Sequence, residues 1–543
     1  MVNPIAIITH WFDRHVGSLA REFRVAFLPP LMVYVAAGVS GLTSIVGTFF
    51  VKDFLGLSAS MLAAIGFWAG IPWALKMPMG HLVDLLWRYK AWFVWLGASL
   101  IAVSLLIMLG LLRAPDAMRA LLSAETWYIL ASLLAPVGYM MQDTVADAMT
   151  VEAVPFRDAA GAPVPDETRR VMNTTMQMLG RVAIISGGVL VSLANVILFA
   201  GVDQADPVAT RAIYIHVYEF ALAIPVISIG GVVLASWLKH RRIQTLVGGG
   251  MAADQARTWL EMHPDPAEPN WWILSGSAVF VLLTITIGLS PFTYGQEAIF
   301  LSSFSVISFL MWRLVRELEP AARHTLVGTA LIIFVFRALP GPGAGSTWWM
   351  IDELKFDQGF LARLSLIASV LTLIGLFGFR RLMAEKSMAY IVSFLTFAGF
   401  ILALPTIGMY YGLHHWTAQL THGVVDARFI ALIDTALESP LGQISMVPLL
   451  AWIANSAPAH LKATYFAVMA SFTNLALSAA QLGTKYLNQV FVVTREIVDA
   501  NGTVSTPADY SQLGTLLIIV TALSLLAPLA AIGFTRLLKM KSA

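Results

Sequence analysis

Apolar residues run along this chain in long unbroken stretches. Such runs lie at about 25–50, 58–86, 91–112, 125–154, 170–200 and 210–238, then at about 271–291 and 297–315. Six more follow at about 324–345, 358–380, 388–410, 427–456, 463–490 and 511–537. A helix crosses a bilayer with about 20 mostly apolar residues, so each run predicts a spanning helix. The strict alternation of a membrane β-barrel strand is absent from them. The pattern therefore predicts about 14 transmembrane helices in sets of six, two and six. The first run is too long, and starts too late, for a cleaved leader. Ahead of it His10, Trp11, Arg14, His15, Arg21 and Arg24 stand among apolar residues. That mixture predicts a cytoplasmic amphipathic segment on the membrane surface over 1–24.

Charge fixes the orientation. With the N-terminus inside, 22 of the 34 Lys and Arg residues fall on the cytoplasmic side, seven outside and five within spans. Membrane proteins concentrate Lys and Arg in cytoplasmic loops, so both termini are expected in the cytoplasm of a cell-membrane protein. Composition agrees: 58% of residues are hydrophobic and 12% charged, and the mean hydropathy is +0.75. No water-soluble fold hides that much apolar surface, which excludes a soluble enzyme, a nucleic-acid binder and a disordered scaffold. Cys is absent, so disulfides and thiolate chemistry are excluded.

The two outer sets echo one another. Asp143-Thr-Val-Ala-Asp147 in the fourth span matches Asp434-Thr-Ala-Leu-Glu438 in the corresponding later span. Asp53-Phe-Leu-Gly-Leu-Ser58 and Asp352-Glu-Leu-Lys-Phe-Asp357 both follow the first helix of a set. Internal repeats with a midplane site are the plan of alternating-access transporters. The expected organisation is a six-helix bundle at 25–240, a cytoplasmic linker at 241–270, a two-helix insertion at 271–320 and a second bundle at 321–543. The linker carries Gly248-Gly-Gly250 and His263-Pro-Asp-Pro266 and reads as a tether.

Charged side chains at mid-bilayer cost at least about 2.5–3.5 kcal/mol each and so mark functional positions. Asp143 and Asp147, four residues apart, share one helix face. Two crowded acids in a low-dielectric core suit a proton carrier. Asp434 and Glu438 repeat the arrangement. Arg181 and Arg337 are the expected countercharges, and Lys76, two residues before Pro78, is a third intramembrane cation. Arg428 and Lys485 are expected near outer helix ends, snorkelling to the interface. Trp271, Trp272, Trp348 and Trp349 read as interface anchors. His414 and His415 fall in an outer loop without ligand spacing, and Asn501-Gly-Thr503 is a glycosylation sequon. No nucleotide-binding, metalloprotease or serine-hydrolase motif is present, so neither an enzyme nor an ATP-driven pump is expected, and no cofactor or metal.

Gly80-His-Leu-Val-Asp84 with Arg88 and Lys90 closes the second span and resembles the Gly-x-x-x-Asp…Arg gating signature of the major facilitator superfamily. A narrower likeness follows. Ile71-Pro-Trp-Ala-Leu-Lys76-Met-Pro78-Met-Gly80 with Asp84 resembles a segment of the folate–biopterin transporter family. Asp143-x-x-x-Asp147 with Glu152 is similar to that family's fourth helix. Arg337, Pro340 and Pro342-Gly-Ala-Gly-Ser-Thr347, then Leu354-Lys-Phe356 and Phe360-Leu361, resemble its seventh-helix region. Ala463-Thr-Tyr-Phe466 with Asn474 and Gly483 resemble its eleventh.

The resemblance implies an all-α major-facilitator fold, two pseudo-symmetric six-helix bundles with an added hairpin, acting as a monomer in the bilayer. It implies proton-coupled symport of a folate- or pterin-like organic anion. Asp143, Asp147, Arg181, Arg337, Asp434, Glu438 and Lys76 would bind substrate or proton, and Gly80, Asp84 and Arg88 would gate. Muropeptide permeases share the Gln142-Asp143-x-x-x-Asp147 pattern, and an assembly factor on the same fold is a third reading.

Overall fold

The computed structural model describes residues 23–540, apart from 56, 75, 155–163, 201–206, 262–268, 289, 291, 317–319, 443, 445–461 and 499–503. The surface segment expected over 1–24 thus lies outside the described residues as far as residue 22. So do the sequon at Asn501 and most of the far end of the span expected at 427–456.

The chain is helical nearly throughout. Helices α1 (Leu28–Val39) and α2 (Ser44–Phe54) form the first span, joined by a 3-10 turn at Ser40–Thr43. α3 (Ala59–Ala74) and α4 (Lys76–Leu85) form the second. α5 (Lys90–Arg113), α6 (Ala124–Ala153), α7 (Asp166–Leu198), α8 (Pro207–Ala221) and α9 (Ala223–Gly248) complete the first set. A short helix, α10 (Ala253–Glu261), lies in the expected linker, ahead of the hairpin α11 (Trp271–Gly288) and α12 (Gly295–Val315). The second set comprises α13 (Pro320–Arg337), α14 (Ala344–Asp352), α15 (Gln358–Gly378), α16 (Met388–Tyr410), α17 (Leu413–Leu420), α18 (Ala427–Glu438), α19 (Lys462–Val490) and α20 (Leu513–Leu537). Before α20 a small antiparallel pair, β1 (Ile497–Val498) and β2 (Val504–Thr506), departs from the all-helical expectation. His414 and His415, expected in a loop, lie on α17.

Among the described residues nine stretches are long and apolar enough to cross a membrane. Five expected spans fall short of that measure. The run at 58–86 is described as two stretches, α3 and α4, on either side of residue 75, which lies outside the described residues. The run at 324–345 breaks after Arg337, across a segment holding Pro340 and Pro342. The one at 427–456 is described only in part. α12 and α19 are unbroken helices of 21 and 29 residues, but carry more polar side chains than a lipid-facing span.

Small residues set the closest helix crossings. A Cβ added at Gly97 of α5 would lie 2.6 Å from the Gly138 carbonyl oxygen of α6, and one at Gly138 would lie 2.5 Å from that of Gly97. Gly38 and Gly187 do the same for α1 and α7. Two crossings join the sets. α7 meets α15, where the Ser192 hydroxyl is 3.0 Å from Ser365 and 3.3 Å from Ser369. α3 meets α19, where Gly66 and Gly70 leave room for Gln481 and Ser478. The hairpin packs on α19 and touches α4, so it spans both sets. Its Glu297 pairs with Lys485 at 2.9 Å, while Gln296 donates to the Ala64 carbonyl at 3.1 Å.

Candidate functional site

Lys76 lies in the second span, on α4. The backbone N–H of Met77 donates to Ser471 Oγ of α19 at 3.1 Å. Asn474 Nδ2 donates to the Trp73 carbonyl at 3.3 Å. The backbone at Trp73 and Met77 is thus held from the opposite set.

From there Lys76 Nζ reaches Asp143 Oδ2 at 2.5 Å and Asp147 Oδ2 at 2.7 Å. The Tyr34 hydroxyl donates to Asp147 Oδ1 at 2.5 Å. Tyr34 is buried, and its ring lies where a Cβ at Gly180 would stand, 2.9 Å from Cε2. Three helices thus converge on one charge set, and two acids share one ammonium. Both acids pair directly with Lys76, a cation the sequence had marked without placing it beside them. Arg181, next to Gly180, stays within electrostatic range of Tyr34, Asp143 and Arg337. Among the described residues Arg181 makes no ion pair. Arg337 ends α13 and approaches from the other set.

The second acid pair is apart from this site. Asp434 is half-buried and Glu438 exposed on α18, each the other's electrostatic neighbour. Among the described residues no hydrogen bond or ion pair ties them to Lys76, Asp143 or Asp147. Arg428 pairs with Asp357 at 2.9 Å, and Lys485 holds the hairpin.

Gly80, Asp84 and Arg88 lie along α4 and the turn after it. A Cβ at Gly80 would meet only Thr144 Cγ2, at 3.9 Å, so this glycine permits no unusually close approach. The loop is fastened by Lys90, whose Nζ lies 3.0 Å from Glu152 and 4.0 Å from the centre of the Trp87 ring.

A cavity of about 650 Å³ opens toward the opposite end of the bundle. Its wall includes Ser44 and Thr48 of α2, Tyr128 and Tyr139 of α6, and Thr347 and Trp348 of α14. Tyr139 of the cavity wall is one turn from Asp143 on α6. At the far end Lys52 Nζ pairs with Asp352 Oδ1 at 2.6 Å, and Tyr510 also hydrogen-bonds Asp352. Arg495, buried, donates to the Leu57 carbonyl at 2.8 Å and stacks over Trp348. Trp348 and Trp349 are therefore core residues and not the interface anchors expected, whereas Trp271 and Trp272 are exposed. Tyr34 and the hydroxyls of this cavity were not singled out from sequence. The available signal was polar residues at Ser40, Ser44 and Thr48, one turn apart in an apolar span.

Comparison with known proteins gives the context. The chain is 24% identical to a folate-biopterin transporter of Synechocystis sp. over 542 residues, covering 98% of this chain and 87% of that protein. Solved structures share the fold at low identity. A POT family transporter in complex with 5-aminolevulinic acid has a TM-score of 0.56 at 11% identity, over 94% of this chain and 95% of that one. A mutant of the nucleoside transporter NupG gives 0.52 at 10%, over 94% and 99%. A D-xylose-proton symporter gives 0.51 at 14%, over 97% and 100%. These are transporters, and the all-helical major-facilitator fold expected from the sequence is the one found. The profile of the BT1 family matches residues 37–542, and the chain belongs to that family of membrane transporters.

Proposed function

We propose that this transporter carries a folate- or pterin-like organic anion together with protons, by alternating access between its two helix sets. The observation that carries the reading is the Lys76 ammonium shared by Asp143 and Asp147, with Arg181 in electrostatic range. Two cations face two carboxylates, so the set is balanced when both acids are ionised. Protonating one acid leaves one positive charge in excess. In a low-dielectric site that excess favours entry of an anion, and the guanidinium of Arg181 offers a planar fork for a carboxylate. Arg337 would close on the anion from the other set. Proton and anion then load together, which is symport. Asp84 and Arg88, beside the Lys90–Glu152 pair, would fasten the cytoplasmic side between turnovers. The bias of Lys and Arg supports a cell-membrane orientation with both termini cytoplasmic.

The test is uptake of radiolabelled folate into proteoliposomes under an imposed pH gradient. Asp147→Asn is expected to abolish gradient-driven accumulation while counterflow persists. Full pH-dependent accumulation in both Asp143→Asn and Asp147→Asn would overturn the mechanism.

A further inference from the structure

We infer that the end of the hairpin nearest the linker binds the headgroup phosphate of an anionic phospholipid, held between the guanidinium groups of Arg313 and Arg316. This goes beyond the transport reading and does not depend on the solute carried.

Between residues 271 and 312 the chain has no Lys or Arg. The two arginines that follow are the hairpin's first cations, and both come at one end of it. Three rings form a row there. Trp272 of α11 lies 6.1 Å from Phe309 of α12, and Phe309 lies 6.0 Å from Trp312. Arg313 stands over Trp272, its guanidinium carbon 3.9 Å from the ring centre, and Arg316 stands over Trp312 at 4.8 Å. A guanidinium over a ring is held by one face and keeps the N–H groups in its own plane for an anion. Among the described residues neither arginine has a carboxylate partner; Glu317 and Glu319 lie outside them. Phosphate oxygens match such a fork in pairs. A zwitterionic headgroup brings its own ammonium beside the phosphate and meets the two cations with no net charge. The rings are exposed, Trp272 by 49% and Trp312 by 54%. Exposed Trp belongs at the membrane–water interface, so the anion within reach is a lipid phosphate rather than a dissolved one.

This seat is fixed to the bundle. Asn270, just ahead of α11, accepts the Trp272 N–H at 3.2 Å through Oδ1, and its own backbone N–H donates to His81 Nε2 of α4 at 2.9 Å. Ile273 and Leu310 pack with Met77 in one buried cluster. The rings therefore stand on a platform tied to the helix that carries Lys76.

The experiment is native mass spectrometry of the full-length protein in detergent, titrated with phosphatidylglycerol and with phosphatidylcholine of the same acyl chains. The first phosphatidylglycerol is expected to bind about five- to thirtyfold more tightly, the range that one to two basic residues supply near anionic lipid. Arg313→Gln combined with Arg316→Gln should remove that preference without lowering the melting temperature, and Trp272→Leu should reduce it in part. Arg241 stands over Trp237 at 4.2 Å on α9, beside Lys239 and Arg242, and so controls for charge alone. Arg241→Gln should leave the preference intact. The inference is overturned if the two lipids bind equally, if the double variant and Trp272→Leu both keep the full preference, or if Arg241→Gln lowers it as much. Displacement of the lipid by millimolar inorganic phosphate would overturn it too, since the site would then be one for a dissolved anion.

Discussion

At the scale of residues, Lys76 carries the most. One ammonium serves two carboxylates 2.5 and 2.7 Å away, in a set only 16% exposed at both Lys76 and Asp143. Removing one partner of such a buried set typically costs about 3–5 kcal/mol, because the remaining charges stay buried and uncompensated. Lys76→Gln is therefore expected to lower the melting temperature in detergent sharply. Adding Asp143→Asn to it should restore much of the loss, since only one acid then remains, held by Tyr34. A double variant no more stable than the single one would show that the set is not an energetic unit. The sequence marked Lys76, Asp143 and Asp147 individually, because charge in an apolar run is visible one residue at a time. Their pairing was not visible, since it depends on which helices lie side by side.

At the scale of elements, glycines divide into those that let helices touch and those that do not. Gly97 and Gly138 bring α5 and α6 into backbone contact, with carbonyl oxygens at 2.6 and 2.5 Å from an added Cβ. Gly138→Ala forces the helices apart and should cost about 1–3 kcal/mol, the range for overpacking. Gly80→Ala meets its nearest atom at 3.9 Å and should leave the melting temperature unchanged. Equal melting of the two variants would contradict this assignment of contacts. Nothing in the sequence separates these glycines, for each stands in an apolar helix. The motif drew attention to Gly80, while the tight crossing lies elsewhere.

For the whole molecule, the sets are joined at one end by Lys52–Asp352 and by Arg495 on the Leu57 carbonyl. Lys52 follows Val51 of the cavity wall, and Asp352 lies one turn beyond Trp348. Closure at that end should therefore control access to the cavity. The chain has no Cys, so a Thr347→Cys variant reports accessibility without background. In spheroplasts, a membrane-impermeant maleimide should label Thr347→Cys faster when Lys52→Ala is added, and the charge-swapped pair Lys52→Asp with Asp352→Lys should restore slow labelling. Labelling rates indifferent to Lys52 would show that the pair does not close the cavity. The hairpin of α11 and α12 touches both sets through Ala64 and Lys485, so movement between the sets must also move it.

The sequence by itself determined the class of the molecule: long apolar runs admit helices in a bilayer and little else. It also exposed the intramembrane acids and cations, since each carries its cost of burial alone. Tertiary structure alone decided that Lys76 pairs with both acids, that Trp348 is core and that Lys485 holds the hairpin. Each of these depends on which helices are neighbours, and a pattern along one chain does not specify contacts across several helices.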